Sequence, residues 1–115
     1  MPNGKTKIQL GSTLSEMTIE MLQKNPGFRE EYIKSTLREQ DHALLAVRLR
    51  NIVDALGGIG KLSKASGLNR PSLYKSLSGR RTPDLDTVEK IFDFAGFTLS
   101  VEPKKRLKKQ AFAHA

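Results

Sequence analysis

Two short amphipathic segments on either side of a three-residue turn that begins with glycine constrain this chain more than any other feature. Residues 59–66 and 70–78 each carry the pattern of about two helical turns, and Gly67 lies between them. Glycine adopts positive φ at little cost, so it permits a tight turn here. Asn69 can cap the second helix, and Pro71 suits its first turn, where the missing amide proton needs no partner. The pattern predicts two short helices that meet at a steep angle.

Apolar side chains recur at three- and four-residue spacing in four more segments, as is typical of amphipathic helices. We expect these helices over residues 14–24, 28–38, 41–56 and 85–95. Gly57 and Gly58 end the longest one, because glycine adopts the left-handed conformation that a helix end requires. Residues 97–101 alternate apolar and polar side chains, which predicts a short strand. The predicted fold is mainly α: a bundle of about five helices with an N-terminal extension helix and a short C-terminal strand.

The length of 115 residues leaves room for one domain of ordinary size. We divide the chain into residues 1–38, an arm with two amphipathic helices; residues 39–102, the domain around Gly67; and residues 103–115, a basic flexible tail. The absence of cysteine excludes disulfides and thiolate zinc sites and suits a reducing cytoplasm. No apolar run approaches the roughly 18–20 residues that span a bilayer. We therefore expect a cytoplasmic protein without a membrane partner.

The net charge of +8 is concentrated in one part of the chain. Residues 1–58 carry eight Lys or Arg against seven Asp or Glu, whereas residues 59–115 carry twelve against five. Residues 59–83 contain six cations and no acid, and residues 84–102 are acidic. A basic block on an otherwise ordinary domain indicates a surface that binds a polyanion. The alternative is a cationic surface that is merely solvated.

The two short helices have the layout of a helix-turn-helix, whose second helix enters the major groove of DNA. We expect Arg70, Ser72 and Lys75 to reach base edges. Phosphate contacts are expected from cations on either side of that helix. The whole predicted DNA-binding set is Lys61, Asn69, Arg70, Ser72, Tyr74, Lys75, Arg80 and Arg81. For Tyr74 the alternative is packing inward beside Leu77.

Other chemistries find little support in the sequence. Gly57 to Lys61 superficially resembles a phosphate-binding loop, but Leu62 follows the lysine where a Walker motif requires Ser or Thr. His42 has no second ligand at metal spacing. No nucleophile, base and orienting group can be assembled. We expect no catalytic residue, cofactor or metal, and hence no enzyme.

Residues 45–101 resemble the lambda-repressor-like (Xre) helix-turn-helix family. Within them, three stretches are similar to the HigA-like addiction-module antidote proteins: Gly58-Ile59-Gly60-Lys61-Leu62, Leu73-Tyr74-Lys75-Ser76-Leu77-Ser78 and Pro83-Asp84-Leu85-Asp86-Thr87-Val88. The resemblance implies an antitoxin that binds a small basic toxin of the RelE/ParE type and represses its own operon as a dimer. Ser66 and Ser76 depart from the pattern, because the family usually has apolar residues at these positions.

Two other functions stay open. A stand-alone or phage-type repressor would share the helix-turn-helix and lack a toxin partner. A protein-interaction module that has lost DNA binding is a third possibility. The first two are separated by whether a gene for a basic, RelE/ParE-like protein adjoins this one.

Two expectations concern association with partners. We expect a homodimer, because one short recognition helix buries too little surface for operator affinity. The predicted strand, with Ile91 and Phe94, is the expected seam. We further expect residues 28–37 to dock on the helix over 41–56 and residues 14–22 to remain available for a toxin. The alternative is that both N-terminal helices complete the core or the dimer.

Overall fold

Six α-helices follow one another in the part of the chain that the structure describes. This computed structural model describes residues 10–104, with side chains from residue 13 onward. The helices are α1 (Leu10–Lys24), α2 (Pro26–Thr36), α3 (His42–Ala55), α4 (Ile59–Ser66), α5 (Arg70–Ser76) and α6 (Leu85–Phe94). The prediction of a mainly α fold is confirmed. The predicted arm before residue 10 and most of the predicted basic tail lie outside the described residues.

Helix α3 is the centre of the domain. Its apolar stripe is buried and packs against side chains from α2, α4, α5 and α6. The buried cluster consists of Ile33, Leu45, Leu49, Ile52, Val53, Leu62, Leu73, Leu77, Val88, Ile91 and Phe92. Because this one stripe contacts so many elements, the position of every other helix is set by how it packs on α3 or its neighbours.

Helix α2 docks on α3 as expected, and an arginine connects the two helices. The Arg48 guanidinium donates to the Tyr32 carbonyl at 2.8 Å and to the Ser35 hydroxyl at 2.7 Å. It also lies 4.1 Å from the centre of the Tyr32 ring. Tyr32 and Ser35 lie near the C-terminal end of α2, where a cation interacts favourably with the helix dipole. Arg48 therefore stabilises both the end of α2 and its contact with α3.

Helix α1 is not left free, contrary to part of the expectation for residues 14–22. It packs against α2 and α3, and Leu22 is fully buried. The Gln23 side-chain amide donates to the Ala55 carbonyl at 3.3 Å. The apolar side chains on the outer side of α1 nevertheless remain exposed. One face of α1 thus belongs to the domain, and the other does not.

The predicted strand over residues 97–101 is wrong. No strand occurs in residues 10–104, so this segment has nothing to pair with. The chain instead closes the end of α6: the Phe97 amide donates to the Phe92 carbonyl at 2.8 Å, and Gly96 has φ of 85°. This is the hydrogen-bond pattern of a Schellman motif, in which the apolar residue after the glycine packs back on the helix. The apolar residues Phe97 and Leu99 of the alternating pattern pack against the core.

Without this strand, the predicted dimer seam would consist of Ile91 and Phe94 alone. Ile91 is fully buried within the protomer, and Phe94 packs against the same core. Ile91 is therefore not left to cover a second copy, whereas Phe94 is only partly buried. The homodimer itself is a separate prediction.

Candidate nucleic-acid interface

The turn between α4 and α5 is braced by backbone and hydroxyl hydrogen bonds. Gly67 has φ of 80°, and its amide donates to the Ser63 carbonyl at 3.0 Å. The Ser63 hydroxyl donates to the Leu68 carbonyl at 2.6 Å, and the Ser66 hydroxyl accepts from the Leu68 amide at 3.1 Å. A Cβ on Gly67 would meet open space, so glycine is required by conformation and not by crowding. Ser66, which departs from the family pattern, makes one of these hydrogen bonds.

Helix α5 is anchored by one buried face. Leu73, Ser76 and Leu77 are buried at the three- and four-residue spacing of a single stripe. The Ser76 hydroxyl accepts from the Asp84 amide at 3.1 Å, which ties the end of α5 to the start of α6. A buried hydroxyl is tolerated when it is hydrogen-bonded, which explains the second departure from the family pattern. The register of α5 follows directly from this stripe.

The remaining residues of α5 point into solvent. Asn69, Arg70, Ser72, Tyr74 and Lys75 are all exposed. Tyr74 is 61% exposed, so the alternative that it packs inward is wrong. The side-chain oxygen of Asn69 accepts from the Ser72 amide at 2.8 Å, so Asn69 is the N-cap of α5 as predicted.

We call the six cations on α4, α5 and the loop after α5 the basic face. They are Lys61, Lys64, Arg70, Lys75, Arg80 and Arg81, and all are exposed. Within residues 13–104, the ion pairs are Lys24–Glu20, Lys34–Glu30 and Lys90–Asp86, all of which lie outside this face. The charge of the basic face is therefore not neutralised by described side chains. Such a surface attracts a polyanion strongly at low salt.

The structure brings half of the predicted set around one groove beside α5. Tyr74, Lys75, Arg80 and Arg81 line it together with Ser78, and its volume is about 470 Å³. Gly79 has φ of 86° and redirects the chain after α5, which brings the two arginines back alongside the helix.

Arg70 lies over the first turn of α4. A Cβ on Gly60 would come within 2.7 Å of its Nη2 atom, so the guanidinium rests directly on that glycine. The contact restricts where Arg70 can point. Gly60 therefore has a role that sequence reasoning missed, since only the glycine pair before it was recognised as a helix end.

Two residues of α3 also belong to this surface and were missed. Arg50 donates to the Leu77 carbonyl at 2.6 Å and so holds the C-terminal end of α5. Asp54 lines a groove of about 420 Å³ with Arg50, Gly60 and Tyr74. Partial burial raises the pKa of Asp54 above its usual value, and the charge of Arg50 opposes that shift. Both residues lie off the buried apolar stripe of α3, so the helical pattern gave no sign of these contacts.

The described part of the chain lacks two further kinds of feature. Residues 10–104 contain no cluster of His, Cys, Asp and Glu side chains that could hold a metal ion. None of the six helices there has both the length and the apolar content that a membrane crossing requires.

Comparison with known families decides the relationship. Residues 14–103 match the model of a family described as probable addiction module antidote protein. The chain belongs to this family. Most of α1 and all of α2–α6 fall within the match, so the antidote family includes the N-terminal helices as well as the basic face. Neither the curated proteins nor the solved structures gave a match. An antidote acts on a toxin, so membership implies a toxin partner.

Proposed function

We propose that this antidote protein is a DNA-binding antitoxin of the HigA-like, Xre helix-turn-helix type. In this proposal it neutralises a small basic toxin of the RelE/ParE type and represses its own operon in the cytoplasm. The observation that carries DNA binding is the basic face: six exposed cations lie on a pair of short helices and the loop after them, and none has an ion pair within the described residues. The chain acts by binding and has no catalytic role.

The residues of the basic face divide into two groups by position. Arg70, Ser72 and Lys75 project from α5 and are proposed to read base edges in the major groove. Lys61, Arg80 and Arg81 lie on α4 and on the loop after α5, where the flanking backbone of the duplex would pass. Phosphate contacts of this kind position a protein on DNA, and base contacts supply sequence preference.

The proposed active form is a homodimer. Helix α5 has seven residues, so a single copy presents few side chains to bases. Two copies on half-sites about one helical turn apart would double these contacts. A repressor without a toxin partner is the second candidate, and membership in the antidote family favours the antitoxin.

The DNA-binding part is tested by fluorescence anisotropy on the region upstream of the chain's own gene. Arg70→Ala should cost about 1–3 kcal/mol on the cognate duplex and relax the sequence preference, because it removes a base contact. Arg38→Ala is the matched control, since Arg38 is exposed and lies outside the basic face. An affinity that is unchanged in Arg70→Ala and in Lys75→Ala would contradict the assignment of α5 as the recognition helix.

A further inference from the structure

The outer face of α1 is an uncovered apolar stripe. Leu14, Met17 and Met21 follow one another at three- and four-residue spacing, so they lie on one side of the helix. They are 59%, 57% and 44% exposed, respectively. Leu22, about 100° further around the helix than Met21, is buried against the domain. The stripe therefore sits on a helix that is already fixed in place.

The stripe has a charged border. Glu16 and Glu20 are exposed one turn apart along it, and Lys24 pairs with Glu20 at 2.7 Å. Met17, Glu20, Met21 and Lys24 together line a shallow cleft of about 220 Å³. The Lys24–Glu20 pair is neutral, so the acidic character of the border comes from Glu16. An apolar strip with this border fits a partner that presents an apolar ridge beside Lys or Arg. Methionine side chains adapt their shape to such a ridge.

Charge also decides where a basic partner cannot dock. The basic face would repel it, whereas the exposed charges of α1 are two glutamates and one lysine. The basic face lies on α4, α5 and the following loop, and α1 packs on α2 and α3. The two surfaces are thus built from different helices.

A second copy of this chain fits the stripe less well. A two-fold contact places the same patch against itself. In an antiparallel pairing of two α1 helices centred midway between the two glutamates, Glu16 of one copy would face Glu20 of the other. Like charges placed together in this way oppose association.

We propose that Leu14, Met17 and Met21, bordered by Glu16 and Glu20, form the docking surface for the toxin. The proposal rests on the antitoxin function proposed above and adds the surface and the chemistry of the partner. The toxin contributes an apolar ridge flanked by basic side chains. The basic face stays accessible to DNA.

The test uses the full chain and the purified product of the gene that adjoins its own. Leu14→Lys and Met17→Lys should each weaken binding of that product by about tenfold or more, because each puts a cation into the apolar contact. Leu85→Lys is the matched control: Leu85 is 74% exposed on α6, and its variant should bind like the wild type. All three variants should retain wild-type affinity for DNA, which shows that they are folded.

A charge reversal provides a second variant that leaves the apolar stripe intact. Glu20→Lys should also weaken binding, because it sets a cation against a basic partner. Glu30→Lys is its control, since Glu30 is an equally exposed glutamate with a lysine four residues later on α2.

The outcomes separate the two proposals. If the wild type binds the adjoining product and the α1 variants bind it equally well, the docking surface is wrong and the antitoxin function stands. If the wild type does not bind it, the antitoxin function fails. If light scattering shows that the α1 variants lose a dimer present in the wild type, the stripe is a contact between copies and the proposal is overturned.

Discussion

Replacing Arg81 by alanine should change the salt dependence of DNA binding and not only its strength. Arg81 is exposed on the loop after α5 and has no ion pair within the described residues. Each phosphate contact releases counterions, so the slope of log K against log salt falls by about 0.9 per contact. Lys61, Arg80 and Arg81 of two protomers give six phosphate contacts in the proposed dimer and a slope of about −5.4, and Arg81→Ala removes two of them and should leave about −3.6.

These slopes give a measurable difference. Between 50 and 200 mM salt, these slopes predict a loss of about 2,000-fold in wild-type affinity and about 150-fold for the variant. Fluorescence anisotropy with a labelled duplex, at four or five salt concentrations, measures both slopes. Arg38→Ala, outside the basic face, should give the wild-type slope. A parallel line for Arg81→Ala, weaker by the same factor at every salt concentration, would refute the phosphate contact.

Three further predictions address the groove lined by Asp54 and Gly60 and the contact between α2 and α3. Arg48→Met should lower the free energy of unfolding by about 2 kcal/mol in urea denaturation, because it removes charged hydrogen bonds and a cation–π contact. Gly60→Ala should raise stability by up to about 1 kcal/mol, as expected in a helix, yet alter operator preference because the new Cβ displaces Arg70. Asp54→Asn should be more stable than the wild type at neutral pH, since the raised pKa of Asp54 means that its ionised form disfavours the folded state. This advantage should shrink as pH falls through that pKa and vanish below the usual value of 3.8, where both states of the wild type bind the proton.

The features that the sequence predicted well depend on neighbours along the chain. Helix α4 has its predicted bounds, and Asn69 caps α5 through an amide three residues away. Gly67 makes the turn because its own conformation is the requirement. The exposed face of α5 followed from the spacing of its apolar residues. Such interactions span four residues or fewer, so a local pattern contains the information.

Tertiary structure decided the rest. Arg50 lies 27 positions before Leu77, and Ser76 eight before Asp84, so nothing local indicates that either pair is in contact. Residues 97–101 alternate like a strand, but a strand exists only where a second one supplies hydrogen-bond partners. Likewise, amphipathicity showed that α1 has an apolar side without showing which part the core would cover. By itself the sequence determined where helices form and where the positive charge lies, because both depend on residue type and spacing. Packing on α3 determined which of those side chains share a surface, because that depends on contacts between residues far apart in the chain.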